Sequence, residues 1–200
     1  MNIRAVLIDE ANALAAIAAR TFYDTFSAQN KESDIRAYIS EKCSVEQMEL
    51  ELKEPCSAFY FLEIDNQIVG YLKLNWGNAQ NEYRTLNSLE IERIYILNTH
   101  HGVGYGKALL DFAIAYARSQ AFDFLWLGVW ENNTRAIAFY ERNGFTVVGK
   151  HTFLLGEDLQ VDILMRFGIA RWIAMPHAQW RTLRVMKNAS RYEDAKVFPV

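Results

Sequence analysis

The sequence has few of the features that mark several common classes of protein. It contains only two cysteines, Cys43 and Cys56, which are too few for a disulfide framework and lack the spacing of a metal site. Four scattered histidines likewise support no metal centre. No apolar run reaches the roughly 18 residues that a membrane-spanning helix needs, and the first residues lack the layout of a signal peptide. We therefore expect a cytoplasmic protein that binds no metal and no membrane.

The balance of charge argues against a nucleic-acid partner and favours ligands of positive charge. The net charge is −3 over 200 residues, of which 51% are hydrophobic and 14% aromatic, so the chain can bury a proper core. Residues 1–167 carry 15 basic and 22 acidic side chains, whereas residues 168–200 carry 6 basic and 2 acidic ones. An acidic body favours cationic ligands, although the same balance also serves solubility alone.

The order of hydrophobic patterns predicts one α/β domain over residues 1–167. Apolar alternations and short apolar runs predict strands, and apolar positions repeated every three to four residues predict helices. The resulting order, β-α-α-β-β-β-α-β-α-β-β, indicates a mixed sheet of six or seven strands flanked by helices. The predicted strands are residues 2–8, 59–65, 68–76, 89–96, 124–130, 145–149 and 159–165, and the predicted helices are residues 10–29, 31–54, 104–119 and 132–142.

The segment 168–200 continues none of these patterns, and we predict that it is a basic C-terminal tail. Residues 177–191 could form a basic helix with Trp180, Leu183 and Met186 on one side. The alternative is a terminus without fixed structure, and the role of the tail stays open.

Three glycines at alternate positions, in the stretch HHGVGYGKAL, predict a backbone that approaches a ligand closely. Gly102, Gly104 and Gly106 lie between a predicted strand and a predicted helix. The first N–H groups of a helix are unpaired and attract a phosphate, and glycines keep side chains out of its way. The spacing is neither that of a P-loop, since Ala108 follows Lys107, nor that of a dinucleotide fingerprint. The alternative is a plain tight turn into a helix.

A second pattern lies in the stretch NNTRAIAFYERNGF, directly after a buried strand. Asn133, Ile137 and Tyr140 fall at positions i, i+4 and i+7 and form one stripe along the predicted helix. An amide and a phenol on one stripe could flank an elongated ligand. The alternative for Tyr140 is a core aromatic residue whose hydroxyl reaches the edge of the core.

Together these two patterns resemble the signatures of the GNAT N-acetyltransferase superfamily. H-x-x-G-x-G at residues 101–106 is similar to its acetyl-CoA loop, and N-x-x-A-I-x-F-Y-x-x-x-G-F at residues 133–145 is similar to its second signature. One departure is His101, where the family usually has Gln or Arg. The resemblance spans residues 2–167 and implies a GNAT-type acyl-CoA N-acyltransferase fold that uses acetyl-CoA. It implies that acetyl-CoA is held by Ile94, Tyr95, Ile96, His101, Gly102, Val103, Gly104, Tyr105, Gly106, Lys107, Asn133 and Tyr140.

A closer resemblance is to the bacterial spermidine/spermine N-acetyltransferases. It rests on TFYDTFSAQN at residues 21–30, LEIERIYI at 89–96, WLGVWENN at 126–133 and H-x-F-x-x-G at 151–156. This resemblance implies acetylation of a primary amine, spermidine or spermine first of all. Alternative acceptors are a drug amine, an amino acid or a protein N-terminus, and a different alternative is a CoA-binding regulatory module without turnover.

The predicted first helix offers candidate walls for a polyamine. Aromatic faces and carboxylates both suit such an acceptor, and the candidates are Phe22, Tyr23, Asp24 and Phe26. Ordinary helix packing explains these side chains equally well. The sequence leaves the oligomeric state open, with a homodimer as one option.

Strand alternation points to a pair of carboxylates near the expected reaction centre. The resemblance implies that Ile94 and Ile96 use main-chain groups on the pantetheine arm, with the Ile94 N–H facing the thioester oxygen. Strict alternation puts Glu90 and Glu92 on the same strand face as these two residues, about 6.6 Å apart in succession. An amine arrives protonated, so a base or a water chain must remove a proton before it attacks.

Glu92 is the predicted base and Glu90 the second choice. The alternative is an acidic strand face whose carboxylates pair with Arg93 or Lys73. Tyr140 is the predicted acid, because its ordinary pKa near ~10 lies close to that of the departing thiol.

Overall fold

Seven strands form the framework of the protein and follow the predicted elements closely. The computed structural model describes residues 1–155 and 158–169, with only the backbone given for residues 153–155 and 158. The strands are β1 (Asn2–Ala5), β2 (Ser57–Ile64), β3 (Gln67–Trp76), β4 (Ser88–Ile96), β5 (Phe124–Trp130), β6 (Thr146–Leu155) and β7 (Asp158–Gly168). The helices are α1 (Ala11–Phe26), α2 (Glu32–Lys42), α3 (Val45–Leu52), α4 (Tyr105–Ser119) and α5 (Thr134–Arg142).

The strands lie in the order β1-β2-β3-β4-β5-β7-β6. Every neighbouring pair is antiparallel except β4 and β5, which are parallel. The predicted α/β class, with a mixed sheet of six to seven strands flanked by helices, is therefore confirmed. None of the helices in the described ranges is long and apolar enough to cross a membrane.

The helical stretch 31–54 differs from the prediction, because it consists of two helices. The break falls at Cys43 and Ser44, where the Ser44 hydroxyl accepts a hydrogen bond from the Gln47 N–H at 3.2 Å. A serine at this position caps the start of a new helix and competes with continuation of the previous one. Strand β6 also runs further than predicted, because it pairs with β7 along most of its length.

The sheet separates two layers of the core. Face A packs against α1, α2 and α3 and includes Phe59, Phe61 and Tyr71, whereas face B packs against α4 and α5 and includes Leu72 and Leu125. Helix α4 buries Leu109, Leu110, Ala113, Ile114 and Ala117, which recur at helical spacing along one side. Because both faces are covered, ligands reach the sheet where two strands separate.

A β-bulge in β4 changes which side chains share a face. Lys73 pairs with Arg93 and Leu74 pairs with Ile91, so Glu92 is the extra residue without a partner on β3. The side chains of Ile91, Ile94 and Ile96 pack on face B, whereas Glu90 lies opposite Asn75 on face A. The prediction that Glu90, Glu92, Ile94 and Ile96 share one face is therefore wrong, since strict alternation fails at an inserted residue.

Strands β4 and β5 pair only at their beginnings. The pairing joins Ser88–Glu90 to Phe124–Trp126 and then stops, so the two strands separate toward their C-terminal ends. The N–H of Leu97 donates to the Val69 carbonyl at 2.8 Å, so Leu97 faces β3 with its backbone groups in the antiparallel ladder between β3 and β4. In an antiparallel ladder alternate residues turn their backbone groups outward. The backbone groups of Ile94 and Ile96 therefore point into the gap between β4 and β5.

The end of the domain lies slightly beyond the predicted residue 167. Strand β7 continues to Gly168, and the N–H of Ile169 donates to the Asp123 carbonyl at 2.9 Å. The side chain of Ile169 also packs against the face B core. The predicted C-terminal helix with Trp180, Leu183 and Met186 lies outside the described residues.

Candidate active site

A cleft of about 530 Å³ opens at the C-terminal end of β4, between α4 and α5. It is lined by every residue that the sequence predicted for acetyl-CoA except Val103, which is exposed on the loop. The full lining is Asp24, Thr25, Ile94, Tyr95, Ile96, Asn98, His100, His101, Gly102, Gly104, Tyr105, Gly106, Lys107, Asn133, Arg135, Ala136, Phe139, Tyr140 and Arg142. Residues from three separate stretches of the chain thus meet around one concave surface.

The loop before α4 presents a row of free backbone donors to this cleft. Within the described part of the chain, no acceptor is found for the N–H groups of residues 102–107, and the first helical bond runs from the Ala108 N–H to the Gly104 carbonyl at 3.0 Å. Gly102 and Gly104 have φ angles of +84° and +93°, which glycine adopts without strain. Successive free N–H groups at a helix N-terminus form a site for a phosphate or diphosphate.

Gly106 shows that the space beside the helix is kept open for something outside the chain. Its φ angle is not in the left-handed region, and a Cβ at this position would meet no atom within 4 Å. Neither backbone strain nor packing within the described residues therefore requires glycine here, although glycine weakens a helix by about 1 kcal/mol relative to alanine. A ligand that touches the backbone accounts for the missing side chain, so the residues fit the predicted diphosphate.

The strand end of the cleft is shaped by main-chain groups and by His101. The His101 Nε2 donates to the Ile96 carbonyl at 2.7 Å, so this side chain folds back and ties the loop to β4. His101, which stands where the family usually has Gln or Arg, therefore leaves the N–H groups of the loop free. The N–H and carbonyl of Ile94, and the N–H of Ile96, point into the gap between β4 and β5 without a ladder partner on β5.

Helix α5 contributes both predicted side chains and two cations that the sequence analysis missed. The Asn133 Oδ1 caps the helix by accepting from the Ala136 N–H at 3.1 Å, which leaves its amide nitrogen for a ligand. Tyr140 is buried but lines the cleft, and no described residue hydrogen-bonds its hydroxyl. Arg135 and Arg142 also line the cleft, and neither forms an ion pair within the described residues. Their spacing of seven residues is a helical repeat that could have identified them.

Burial makes the Tyr140 hydroxyl a weaker acid than that of an exposed tyrosine. It raises the pKa of Tyr140 well above its ordinary value, because the phenolate would lie in an apolar environment. Tyr140 therefore stays protonated throughout the physiological pH range. It remains a donor, but one that holds its proton more tightly than the ordinary value predicts.

A second, smaller cavity of about 40 Å³ lies on face A, where β4 and β5 begin to separate. It is lined by four carboxylates and one imidazole, together with apolar residues and one amide: Asn81, Glu82, Glu90, Ile91, Glu92, Trp126, Gly128, His151, Asp162 and Leu164. Among the residues that the structure describes, no lysine or arginine lines it. Strand β4 thus carries the acidic cavity at Glu90–Glu92 and the large cleft from Ile94 onward.

Glu92 is held in a buried network of ion pairs. Its carboxylate lies 2.7 Å from Lys73 Nζ and 3.1 Å from Arg93 Nη2, and both cations also contact Glu51 on α3. Burial alone would raise the pKa of Glu51, but Arg93 and Lys73 outweigh it and lower this pKa to about 2. Glu92 therefore pairs with Arg93 and Lys73, as the alternative of an acidic strand face expects, but it does so in a buried network and not on a solvated surface.

Glu90 has no cation beside it and is held by amides instead. Its carboxylate accepts from the Asn81 N–H at 3.0 Å, from the Asn81 side chain at 2.8 Å and from Asn75 Nδ2 at 3.2 Å. Burial, reinforced by the negative charge of Glu92, raises the pKa of Glu90 to about 7. A carboxylate that titrates near neutral pH is a much better proton acceptor for an ammonium than one fixed in ion pairs.

Comparison with known proteins identifies the family. Residues 13–145 match the acetyltransferase (GNAT) family. The chain belongs to the GNAT acetyltransferases. An uncharacterized N-acetyltransferase from the pepI 3′ region of Lactobacillus delbrueckii subsp. lactis is 41% identical over 151 residues, which cover 76% of this chain and 87% of the relative. A streptothricin acetyltransferase from Escherichia coli is 35% identical over 107 residues, or 53% and 57% of the two chains.

A solved GNAT structure has the same fold. The PaiA N-acetyltransferase of Thermoplasma acidophilum, determined in complex with coenzyme A, superposes with a TM-score of 0.68 at 23% identity, covering 84% of this chain and 98% of that one. At this identity the likeness concerns the fold alone. The predicted GNAT fold and enzyme class are confirmed for this chain.

The predicted acceptor walls on α1 of this GNAT enzyme divide into two kinds. Phe22 and Phe26 are buried in the face A core, where the Phe22 ring stacks on Tyr38 with centroids 4.0 Å apart. These two rings are core residues that line neither cavity, as the alternative of helix packing expects, so they are withdrawn as acceptor walls. Tyr23 is exposed and donates to Glu32 at 3.2 Å, while Asp24 lines the large cleft and pairs with Arg20 at 2.9 Å.

Asp162 and His151 complete the acidic cavity, and the sequence analysis of this GNAT enzyme included neither in the site. Asp162 interrupts the apolar run LQVDILM, and a charge within an apolar strand is a signal that could have identified it. His151 lies opposite Asp162 on β6, and its Nδ1 is 3.1 Å from Glu82 Oε1.

Proposed function

We propose that this GNAT enzyme transfers the acetyl group of acetyl-CoA to a primary amine of a small cationic molecule, with spermidine and spermine as the first candidates. The observation that carries the proposal is the meeting of two unlike cavities at β4. One offers free N–H groups and cations, and the other offers carboxylates. An anionic donor and a cationic acceptor thus have separate sites that adjoin the same strand.

The large cleft suits acetyl-CoA by several independent features. The N–H groups of residues 102–107 would hold the diphosphate, and Arg135 and Arg142 would add positive charge beside it. The outward backbone groups of Ile94 and Ile96 would bind the pantetheine arm like an added half-strand. The coenzyme A bound to the structural relative supports the same use.

The catalytic roles follow from the surroundings of three side chains. Acetyl-CoA supplies the acetyl group as a reactive thioester. Glu90 accepts a proton from the acceptor ammonium, so that the neutral amine nitrogen can form its bond to the acetyl carbon. Tyr140 donates its hydroxyl proton to the sulfur as the carbon–sulfur bond breaks. The acylated nitrogen then loses its second proton, which restores the Tyr140 hydroxyl through solvent. Glu92 is assigned a positioning role instead, because Asn75 Nδ2 donates to both Glu92 and Glu90 and links the ion-pair network to the base.

The acceptor assignment has two competing sources of support. The resemblance of TFYDTF and LEIERIYI to polyamine acetyltransferases and the acidic cavity both favour a polyamine. The streptothricin acetyltransferase among the relatives favours an amine of an antibiotic instead. Both acceptors present a primary amine, so the same chemistry serves either one.

A thiol-release assay distinguishes these acceptors. Purified protein is given acetyl-CoA and, in separate reactions, spermidine, spermine, streptothricin, an aminoglycoside or a peptide, and the released coenzyme A is titrated at low and high salt. We expect spermidine and spermine to have the highest kcat/KM, with a KM that rises with ionic strength. A higher kcat/KM for streptothricin or the peptide at both salt concentrations would overturn the polyamine assignment. Absence of release with every amine would overturn the transfer itself.

A further inference from the structure

Asp162 is a buried carboxylate with an unsatisfied oxygen. It lies in the middle of β7 and is only 7% exposed, and its Oδ1 has no hydrogen-bond partner within the described residues. Leaving a buried charged group unpaired is costly, and natural proteins do so mainly where a ligand completes the site. Asp162 lines the acidic cavity, so the unsatisfied group belongs to a space that can receive a ligand.

The sheet leaves a hollow directly beside this carboxylate. On face A, β5 presents Trp126, Gly128 and Trp130 in succession, with Glu90 opposite Trp126 and Asp162 opposite Trp130. Gly128 lies between the two indoles and contributes no side chain. A Cβ built on Gly128 would come within 3.2 Å of Asp162 Oδ2. The missing side chain therefore leaves room for the Asp162 carboxyl group, which packs against Gly128 at the edge of the hollow.

The charges around the hollow favour a single positive group. Glu82, Glu90, Glu92 and His151 share the cavity with Asp162, and of the four carboxylates Glu92 is already neutralised by Lys73 and Arg93. His151 is committed to Glu82 through its Nδ1. Asp162 and Glu90 remain as the two carboxylates of the cavity that form no ion pair within the described residues.

The size of the hollow restricts the shape of the group that enters. A volume of about 40 Å³ holds about three water-sized groups. An ammonium and its first one or two methylenes fit such a space, and the apolar walls of Trp126 and Leu164 suit the methylenes. A branched carbon beside the nitrogen would need more than this volume.

We propose that Asp162 is the anionic anchor that binds the acceptor's ammonium group opposite Glu90, and that this cavity selects unbranched primary alkylamines. The inference rests on the proposed function and extends it from a class of reaction to a shape of substrate. In this assignment Asp162 holds the charged group in place while Glu90 removes the proton. Selection by length and branching then follows from the hollow over Gly128.

Three variants test the anchor. Asp162→Asn keeps the shape and removes the charge. Gly128→Ala keeps the charge and narrows the cavity with a methyl group 3.2 Å from Asp162 Oδ2. Asp123→Asn makes the same chemical change at an exposed aspartate outside both cavities. Kinetics with spermidine, n-butylamine and tert-butylamine give KM and kcat for each variant, and thermal melting reports its stability. Calorimetry of spermidine against the CoA-bound protein measures acceptor binding without turnover.

For Asp162→Asn we expect the KM for spermidine to rise about 10- to 100-fold, because one charged hydrogen bond is lost. The KM for acetyl-CoA should not change. Its Tm should equal or exceed that of the wild type, because an unpaired buried carboxylate has been removed. Gly128→Ala should raise the KM for n-butylamine, while Asp123→Asn should change nothing. The wild type should acetylate n-butylamine and reject tert-butylamine.

Each contrary result has a separate meaning. An unchanged KM and calorimetric Kd for spermidine in Asp162→Asn would overturn the anchor while leaving acetyl transfer intact. A lower Tm together with equal changes in both KM values would assign Asp162 a structural role and also overturn it. A wild type that binds spermidine through Asp162 without releasing coenzyme A would support the anchor and overturn the proposed transfer.

Discussion

The two cavities that meet at β4 present opposite charges by different physical means. The large cleft uses mainly backbone groups, in the free N–H row of residues 102–107 and the outward groups of Ile94 and Ile96. The small cavity uses buried carboxylates whose pKa values are raised to about 7 at both Glu90 and Asp162. Backbone donors need no particular side chain, whereas the pKa of a buried carboxylate depends on the groups that surround it.

The same contrast separates the two neighbouring carboxylates of β4. Glu90 is desolvated and held by amides, while Glu92 is enclosed by Lys73 and Arg93. Glu90 is therefore prepared to exchange a proton near neutral pH, whereas the Glu92 carboxylate is engaged in ion pairs. Two residues of one type, two positions apart, acquire different roles because their neighbours differ.

The largest effect is expected from Glu90→Gln, which removes the proposed base. The turnover number should fall by about 10²–10⁴-fold. In the wild type, kcat/KM should rise with pH through about 7, because the base must lose its proton to act, and the variant should lack this step. Steady-state kinetics from pH 5.5 to 9 measure both, with Glu141→Gln as an exposed control on α5. A full rate in Glu90→Gln would assign proton removal to another group.

Glu92→Gln should instead reduce stability. Removing one anion leaves Lys73 and Arg93 buried with only Glu51 between them, at a cost of about 3 kcal/mol in the free energy of unfolding. Denaturant titration measures this loss, and Glu49→Gln, which breaks the exposed pair with Lys53, should cost less than about 1 kcal/mol. If Glu92→Gln kept full stability but lost turnover and the pH step, Glu92 would be the base and the assignments of the pair would be reversed.

Gly106→Val tests the backbone side of the comparison. A Cβ on Gly106 meets no atom of the described residues within 4 Å, so the fold should persist, but the valine side chain would occupy the space beside the free N–H groups. We expect the Kd for acetyl-CoA to rise by about 10- to 100-fold, or about 1.4 to 2.8 kcal/mol, through lost charged hydrogen bonding. Calorimetry measures it, with Val103→Ala as a control on the same loop. Unchanged affinity would place the diphosphate elsewhere.

The smallest effect is expected from removing residues 170–200. Both cavities and all seven strands of the sheet precede this segment, so acetylation should stay within about twofold of the full chain. A protein that ends after Phe167 should be less stable, since it loses the bond from Ile169 to Asp123 and the packing of Ile169. Kinetics and thermal melting of both truncations check this. Loss of activity in the longer one would give the predicted tail a functional role.

The sequence predicted the elements of the sheet and most of the lining of the large cleft, but not Arg135 and Arg142 or neighbours such as Asn98 and Phe139. This was possible because alternation, helical spacing and glycine loops are local patterns, and a backbone site depends on local geometry. Asp162 and the correct order of Glu90 and Glu92 could not be predicted in the same way. Their properties depend on β3, β6, β7 and α3, which are distant in the chain.

The sequence by itself therefore determined the α/β class, the order of the elements and the place of the glycine loop. Tertiary structure alone decided that β4 contains a bulge, that Glu92 is paired with Lys73 and Arg93, and that Asp162 lines a small cavity beside Gly128. Hydrophobic periodicity indicates which side of a segment is buried. An inserted residue moves the side chains that follow it to the opposite face of the strand, and the composition does not reveal this. The charge state of a buried carboxylate is set by the groups that surround it, and only folding brings those groups together.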